Sequence, residues 1–276
     1  MKKVALWILA FMITASTAVY QRMTGPTHPL RGSTEISGTE IAFTLLRSYE
    51  TGSDYEIRIL APDPAIQGSL VYKKHKTDEP WQSRAFNRVG DSLTATLPHQ
   101  PPAGKLAYRV LLSDLIKEVS LSGDKPVVIR FKGHVPDVVL IPHIVIMFLA
   151  MLFSTRAGLE ALRRKGNPRK LVLWTAAILF VGGMVFGPLV QKFAFGTFWA
   201  GIPFGFDLTD NKTLIALLGW IAALIAGRKG RPARGWVIGA ALLLLIVFLI
   251  PHSLLGSELD YSEAKAIPQL SELLTI

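Results

Sequence analysis

Residues 127–155 read VVIRFKGHVPDVVLIPHIVIMFLAMLFST, and two kinds of order meet inside them. Up to Lys132 the apolar residues come in a short run of the kind that forms a strand. From Val138 onward the chain is apolar and uncharged for eighteen residues, close to the roughly 20 needed to cross a bilayer core as a helix. The junction therefore predicts a β-rich part before it and a helical membrane part after it, with little chain between them.

Working outward, four more stretches have the same character: 4–20, 171–190, 212–227 and 235–255. Half of the 276 residues are hydrophobic and the mean hydropathy is +0.37, too apolar for an ordinary water-soluble domain. The expected fold class is an integral membrane α-helical bundle of about five transmembrane helices with an inserted periplasmic antiparallel β-sandwich. Its expected domains are an N-terminal transmembrane anchor or signal peptide at 1–20, the sandwich at 21–137, a four-helix transmembrane domain at 138–255 and an acidic tail at 256–276. Both readings of the first segment stay open. Lys2 and Lys3, an apolar run and Ser16-Thr17-Ala18 fit a cleavable signal as well as an anchor.

Charge sets the expected orientation. The stretches 156–170 and 228–234 hold six and four basic residues against Glu160 alone. With Lys2 and Lys3 these make twelve basic residues and one acid, leaving eighteen basic and nineteen acidic for the rest of the chain. Short basic loops stay in the cytoplasm. The net charge of +10 is thus a topology signal of a bacterial inner membrane protein, and it does not indicate nucleic-acid binding. The N-terminus is expected inside, with 21–137 and the C-terminus periplasmic. The chain has no cysteine, which excludes disulfides and thiolate metal sites.

Residues 21–37 are polar and rich in Gly, Pro, Ser and Thr, and read as a linker. Between about 38 and 132, seven or eight short runs such as YEIRIL, SLTATL and VVIRF are separated by turn residues, which predicts the antiparallel sandwich. The stretch AGKLAYRVLL (103–112) resembles the late-strand region of fibronectin type III and immunoglobulin-like domains, where a Tyr packs near a corner. Such folds imply no particular function. His28, His75 and His99 fall in different turns or strand ends without ligand-like spacing. A binding or structural module is expected here, offering a surface to a periplasmic or membrane protein partner.

The tetrapeptide LIPH occurs at 140–143 and again at 249–252. With alternating spans, His143 and His252 both fall near the outer ends of their helices. An ionisable residue at membrane depth is a functional candidate, and neutral imidazole is a common ligand for haem iron, copper or zinc. The plain alternative is an interfacial His whose ring reaches water beside a helix-bounding Pro.

Between the two lies FAFGTFWAGIPFGFDLTDNKTLIALLGW (193–220). Phe193, Phe195, Phe198, Trp199, Phe204 and Phe206 make it an aromatic shelf suited to a flat apolar ligand or a partner helix. Asp210 or Thr209 is the expected N-cap of the following helix. Gly196-Thr-Phe-Trp199-Ala200 and Phe204-Gly-Phe206-Asp207-Leu-Thr-Asp210 resemble the opening and end of the external loop in WWD-type haem-handling proteins of cytochrome c maturation. In this sequence Phe stands in place of most of the tryptophans, and Leu208 in place of the Pro after the Asp. The resemblance implies haem b, with His143 and His252 as flanking axial ligands. It implies contacts from Trp199, Phe204 and Phe206, and an orienting role for Asp207 and Asp210. A quinone would use the same contacts.

Copper is a further reading, because His143, Met147 and Met151 repeat every four residues on one helical face and His with thioether suits Cu(I). Gly183 and Gly187 form a small-xxx-small pair suited to close helix packing. The sequence has no phosphate-cradling glycine loop, no G-x-S-x-G and no H-E-x-x-H, so enzymatic turnover is not indicated. The competing class is non-catalytic: a tethered sandwich that recruits partners.

Overall fold

The computed structural model describes residues 2–114, 116–228, 233–251, 256, 258–259 and 261. The chain divides into two compact units, Met1–Pro26 with Val135–Ser257 and Thr27–His134 with Glu258–Ile276.

Among the described residues the second unit has eleven strands. They are β1 (Leu30–Ile36), β2 (Thr39–Leu45), β3 (Ser48–Glu50), β4 (Tyr55–Leu60), β5 (Gln67–Lys74), β6 (Gln82–Ala85), β7 (Asn87–Val89), β8 (Ser92–Leu97), β9 (Lys105–Ser113), β10 (Glu118–Ser120) and β11 (Val127–Lys132). Strand period decides which side chains go inward: in β4 and β8 every second residue is buried, so Ile57, Ile59, Leu93 and Leu97 line one face. They join one buried cluster with Ile41 and Leu45 of β2, Leu70 of β5, Tyr108 and Val110 of β9, and Phe131 of β11.

The arrangement differs from the expected antiparallel sandwich in three respects. Among the described residues there are three hydrogen-bonded sheets, of two, six and three strands. One pair, β3 with β11, is parallel. The supposed linker contains β1, which pairs with β2 from Leu30↔Leu45 to Ile36↔Thr39; its polar residues are the exposed face of an edge hairpin. Tyr108, within 103–112, is fully buried and its hydroxyl donates to Leu46 O at 2.8 Å.

The first unit is helical: α1 (Lys2–Thr24), α2 (Asp137–Leu162), α3 (Arg169–Phe180), a π-helical turn (Val181–Phe186), α4 (Gly187–Phe195), α5 (Leu208–Ala226) and α6 (Arg234–Leu249). The α3–π–α4 run is continuous over Arg169–Phe195, and among the described residues four helices are long and apolar enough to cross a membrane. At 1.5 Å per residue the sixteen residues of α6 span only about 24 Å, short of a ~30 Å hydrocarbon core. The expected fifth span, 235–255, therefore stops earlier in the structure, before Ile250 and Pro251.

Helix α2 runs farther than the sequence suggests. Arg156 and Glu160, read as loop residues, lie inside it and are buried. They can do so because they pair at i, i+4, with Arg156 Nη2 2.8 Å from Glu160 Oε2, and Arg163 closes on the same carboxylate at 2.9 Å. Trp7 meets Phe153 and Phe11 meets Phe148 edge-on, so α1 and α2 run antiparallel.

Candidate functional site

The site is assembled at the end of the helical unit where α2 begins. His143 sits six residues into α2, directly after the internal Pro142. Its Nδ1 is 3.1 Å from Gly182 O, in the π turn. A carbonyl oxygen can only accept, so Nδ1 carries the proton. In the neutral ring Nε2 then holds the lone pair. Gly182 O also accepts from Gly187 N, five residues on. The wider π turn thus serves one helical hydrogen bond and one imidazole with a single oxygen.

Glycine makes this approach possible. A Cβ on Gly182 would lie 2.7 Å from Met147 Sδ and 2.9 Å from Ile146 Cγ2, and one on Gly183 would lie 2.5 Å from Thr213 Cγ2. Of the pair Gly183 and Gly187, only Gly183 makes a close contact, with α5; a Cβ on Gly187 would lie at ordinary distances, 3.6 Å from Gly182 O and 4.0 Å from His143 Cε1, and the close contact with α2 falls to Gly182. The sulfur of Met147 is turned into this packed contact. That geometry explains the His143–Met147–Met151 repeat by helix packing: Met151 is buried in the bundle core, and Met147 packs against it.

Thr213 leads to the next element. Its neighbour Lys212 is buried, and its Nζ donates to Ile250 O at 2.7 Å. Gln21 of α1 donates through Nε2 to Phe248 O at 2.7 Å and to Ile250 O at 3.2 Å. The carbonyls left open at the end of a short helix are thus met by side chains of α1 and α5. The Asp207 carboxylate lies close enough to act on the Lys212 charge. Lys212 was missed at the sequence level, although a lysine at the head of an apolar run is itself a signal.

The aromatic loop is tied to the start of α5. Asp207, not Asp210 or Thr209, is the N-cap: its Oδ1 accepts from Thr209 N at 2.7 Å and Asp210 N at 3.3 Å. Asp210, buried, accepts instead from Ala200 N at 2.7 Å, and Asn211 Oδ1 accepts from Ile202 N at 2.7 Å. Asp207 N closes the loop onto Ala200 O at 3.0 Å, and Trp199 Nε1 donates to Ile202 O at 3.1 Å. Gly201 and Gly205 leave no room for a side chain, since a Cβ would meet Asn211 Oδ1 at 2.7 Å and Ala200 O at 2.5 Å respectively. Trp199 is half-buried, while Phe204 and Phe206 are 82% and 87% exposed.

Of the residues singled out in the sequence, His143 and Met147 meet at the π turn. Trp199, Phe204, Phe206 and Asp207 belong to one loop, which Asp210, in the first turn of α5, ties down through Ala200 N. His252 lies outside the described residues; the chain reaches Ile250 at the same end of the bundle, where Lys212 holds it. No group of three His, Asp or Glu side chains able to hold a metal ion occurs among the described residues.

The β unit carries its own polar cluster. Glu258 lies 2.8 Å from Lys76 Nζ and bonds Lys105 Nζ as well. Burial raises the Glu258 carboxyl, but the two ammonium groups outweigh it and hold the pKa at about 2. At Lys105 the balance goes the other way, with burial lowering the ammonium in spite of Glu258. The carboxylate governs the cluster because two cations converge on it and only one anion faces Lys105. Tyr261 packs beside them, receives Lys105 N at 2.9 Å, and is pushed up to about 12 by burial.

Compared with known proteins, the chain matches no family model, no curated protein and no solved structure.

Proposed function

We propose that the chain is an integral protein of the bacterial inner membrane, N-terminus inside and β unit outside, whose helical unit binds a flat apolar ligand of the haem or quinol class at its outer end. The observation that carries this reading is the His143–Gly182 hydrogen bond. It fixes the tautomer and orientation of an imidazole at bilayer depth and leaves Nε2 as acceptor. That donor fits one axial position of a haem iron, where it would tune iron chemistry. It equally fits the hydroxyl of a quinol, whose proton it would accept. Trp199, Phe204 and Phe206 offer the aromatic contacts, and Asp207 and Asp210 hold them in place.

The test is spectroscopic. Protein purified in mild detergent from haem-replete cells should show a reduced-minus-oxidised haem b difference, or bind a quinol analogue on titration. Either signal should vanish in His143→Ala. A colourless preparation that takes up neither ligand overturns the proposal.

A second reading has the β unit, as a sandwich of the immunoglobulin type, recruiting a periplasmic protein. It draws on a groove of about 860 Å³ lined by Val71, Trp81, Arg109, Leu111 and Val119, where Lys73 and Arg109 lie 5.5 and 5.9 Å from the Trp81 ring. Copper handling, with His143 and Met147 as ligands, is the weaker reading, since the Met147 sulfur lies against Gly182.

A further inference from the structure

The stretch 193–206, FAFGTFWAGIPFGF, has no charged residue and joins α4 to α5, both parts of helices long and apolar enough to be spans. A loop of this composition in water would fold its rings inward. Here it cannot, because its backbone is fixed by the hydrogen bonds to Asp210 and Asn211 and by the closeness of Gly201 and Gly205 to their neighbours. The result is a rigid platform that presents Phe198, Ile202, Phe204 and Phe206 outward, each more than half exposed.

What covers it follows from its neighbours. Lys192, in the last turn of α4, donates to Gly196 O at 2.8 Å and lies 5.4 Å from the Phe198 ring. A lysine that folds back to cap the end of its own span marks the edge of the hydrocarbon. Exposed apolar side chains such as Phe, just beyond that edge, bury at the boundary between headgroups and acyl chains, as those of interfacial segments do. A water-facing protein surface would instead carry a polar, charged rim.

We infer that the loop 196–207 is a membrane-dipping platform whose partner is outer-leaflet lipid, which makes the His143 end of the bundle approachable sideways from the bilayer. The inference rests on the reading of the helices as membrane spans. It predicts that an amphiphile bound there arrives from the membrane and not from the periplasm.

The chain has no cysteine, so single Phe204→Cys and Phe206→Cys variants can each carry one environment-sensitive fluorophore. They are compared in phosphatidylcholine–phosphatidylglycerol vesicles with a mid-span control, Leu218→Cys on α5. Lipid bearing a nitroxide near its headgroup should quench the Phe204 and Phe206 sites, and aqueous iodide should not. Iodide quenching at both sites, with the Leu218 site still quenched by lipid, overturns the platform and leaves the spans standing. Shielding from both quenchers means that protein covers the loop, and also overturns it. A Leu218 site untouched by lipid bearing a nitroxide deep in its acyl chain, the quencher used for that control, removes the span reading as well.

Discussion

The imidazole of His143 and the carbonyl of Gly182 face each other at 3.1 Å across two helices, with the carbonyl placed in a π turn. Single π turns inside α-helices frequently mark functional positions, because the extra residue displaces a carbonyl from its ordinary partner. Here that carbonyl fixes the ring's proton on Nδ1. His143→Ala should remove ligand binding with little effect on the helices. Gly182→Ala should impair both, because the new methyl meets Met147 and Ile146; the expected cost is about 1–3 kcal/mol. Thermal stability in detergent, measured beside the ligand spectrum, separates the two variants.

The loop depends on one buried carboxylate. Asp210→Ala leaves Ala200 N without its acceptor in a buried setting and should cost about 1–3 kcal/mol. Hydrogen exchange should rise across residues 197–206 and stay unchanged in the β unit. An unaltered loop would refute this account of its rigidity.

Helix α1 is part of the bundle. It stacks Trp7 and Phe11 on α2, places Trp7 5.5 Å from the Arg156 guanidinium, and uses Gln21 to meet the end of α6. We expect the intact mass of protein isolated from membranes to include this helix. A mass that begins after Ala18 would show the segment to be a cleaved signal. Gln21→Leu should lower stability by removing the side-chain donor to Phe248 O, while Ile250 O keeps Lys212.

Arg156 and Glu160 are a buried pair in which each needs the other. Arg156 Nε and Nη1 have no partner among the described residues, so Glu160 is the group that balances the charge. Glu160→Gln should cost about 3–5 kcal/mol, whereas replacing both residues with apolar ones of similar size should cost much less. Melting temperatures of the single and double variants measure the difference.

The Glu258 cluster gives the β unit a defined acid response. The carboxyl sits at about 2 in the folded protein against an ordinary 4.5. A depressed carboxylate contributes stability that is complete above its unfolded pKa and is lost as pH falls through the folded one. Protection of the Lys105 amide, bonded to Tyr261, should therefore weaken between about pH 4.5 and 2. In Glu258→Gln that amide should be weakly protected at neutral pH too, with the acid step gone. The side chain of Glu258 is 33% exposed, so salt should reduce the effect.

How much of this was legible in the sequence differs from residue to residue. The strands of the β unit followed from alternation. The hairpin β1–β2 did not, because an edge strand with a solvated face has the composition of a linker. Arg156 looked like a loop residue because a lone charge ends a hydropathy window. Only its neighbour one turn away makes burial tolerable. Asp210 suited the cap by type and position, yet the chain's path gave the cap to Asp207 and turned Asp210 toward Ala200.

By itself the sequence determined where water ends. Apolar runs of span length, the basic stretches between them and the strand-period region before Lys132 are additive properties of neighbouring residues, and they need no knowledge of the fold. The tertiary structure alone decided which polar groups of the apolar helices satisfy one another. The His143–Gly182, Lys212–Ile250 and Gln21–Phe248 pairs join residues 38 to 227 positions apart. Each forms because a backbone group in an apolar medium must find a partner, and only helix packing brings one within reach.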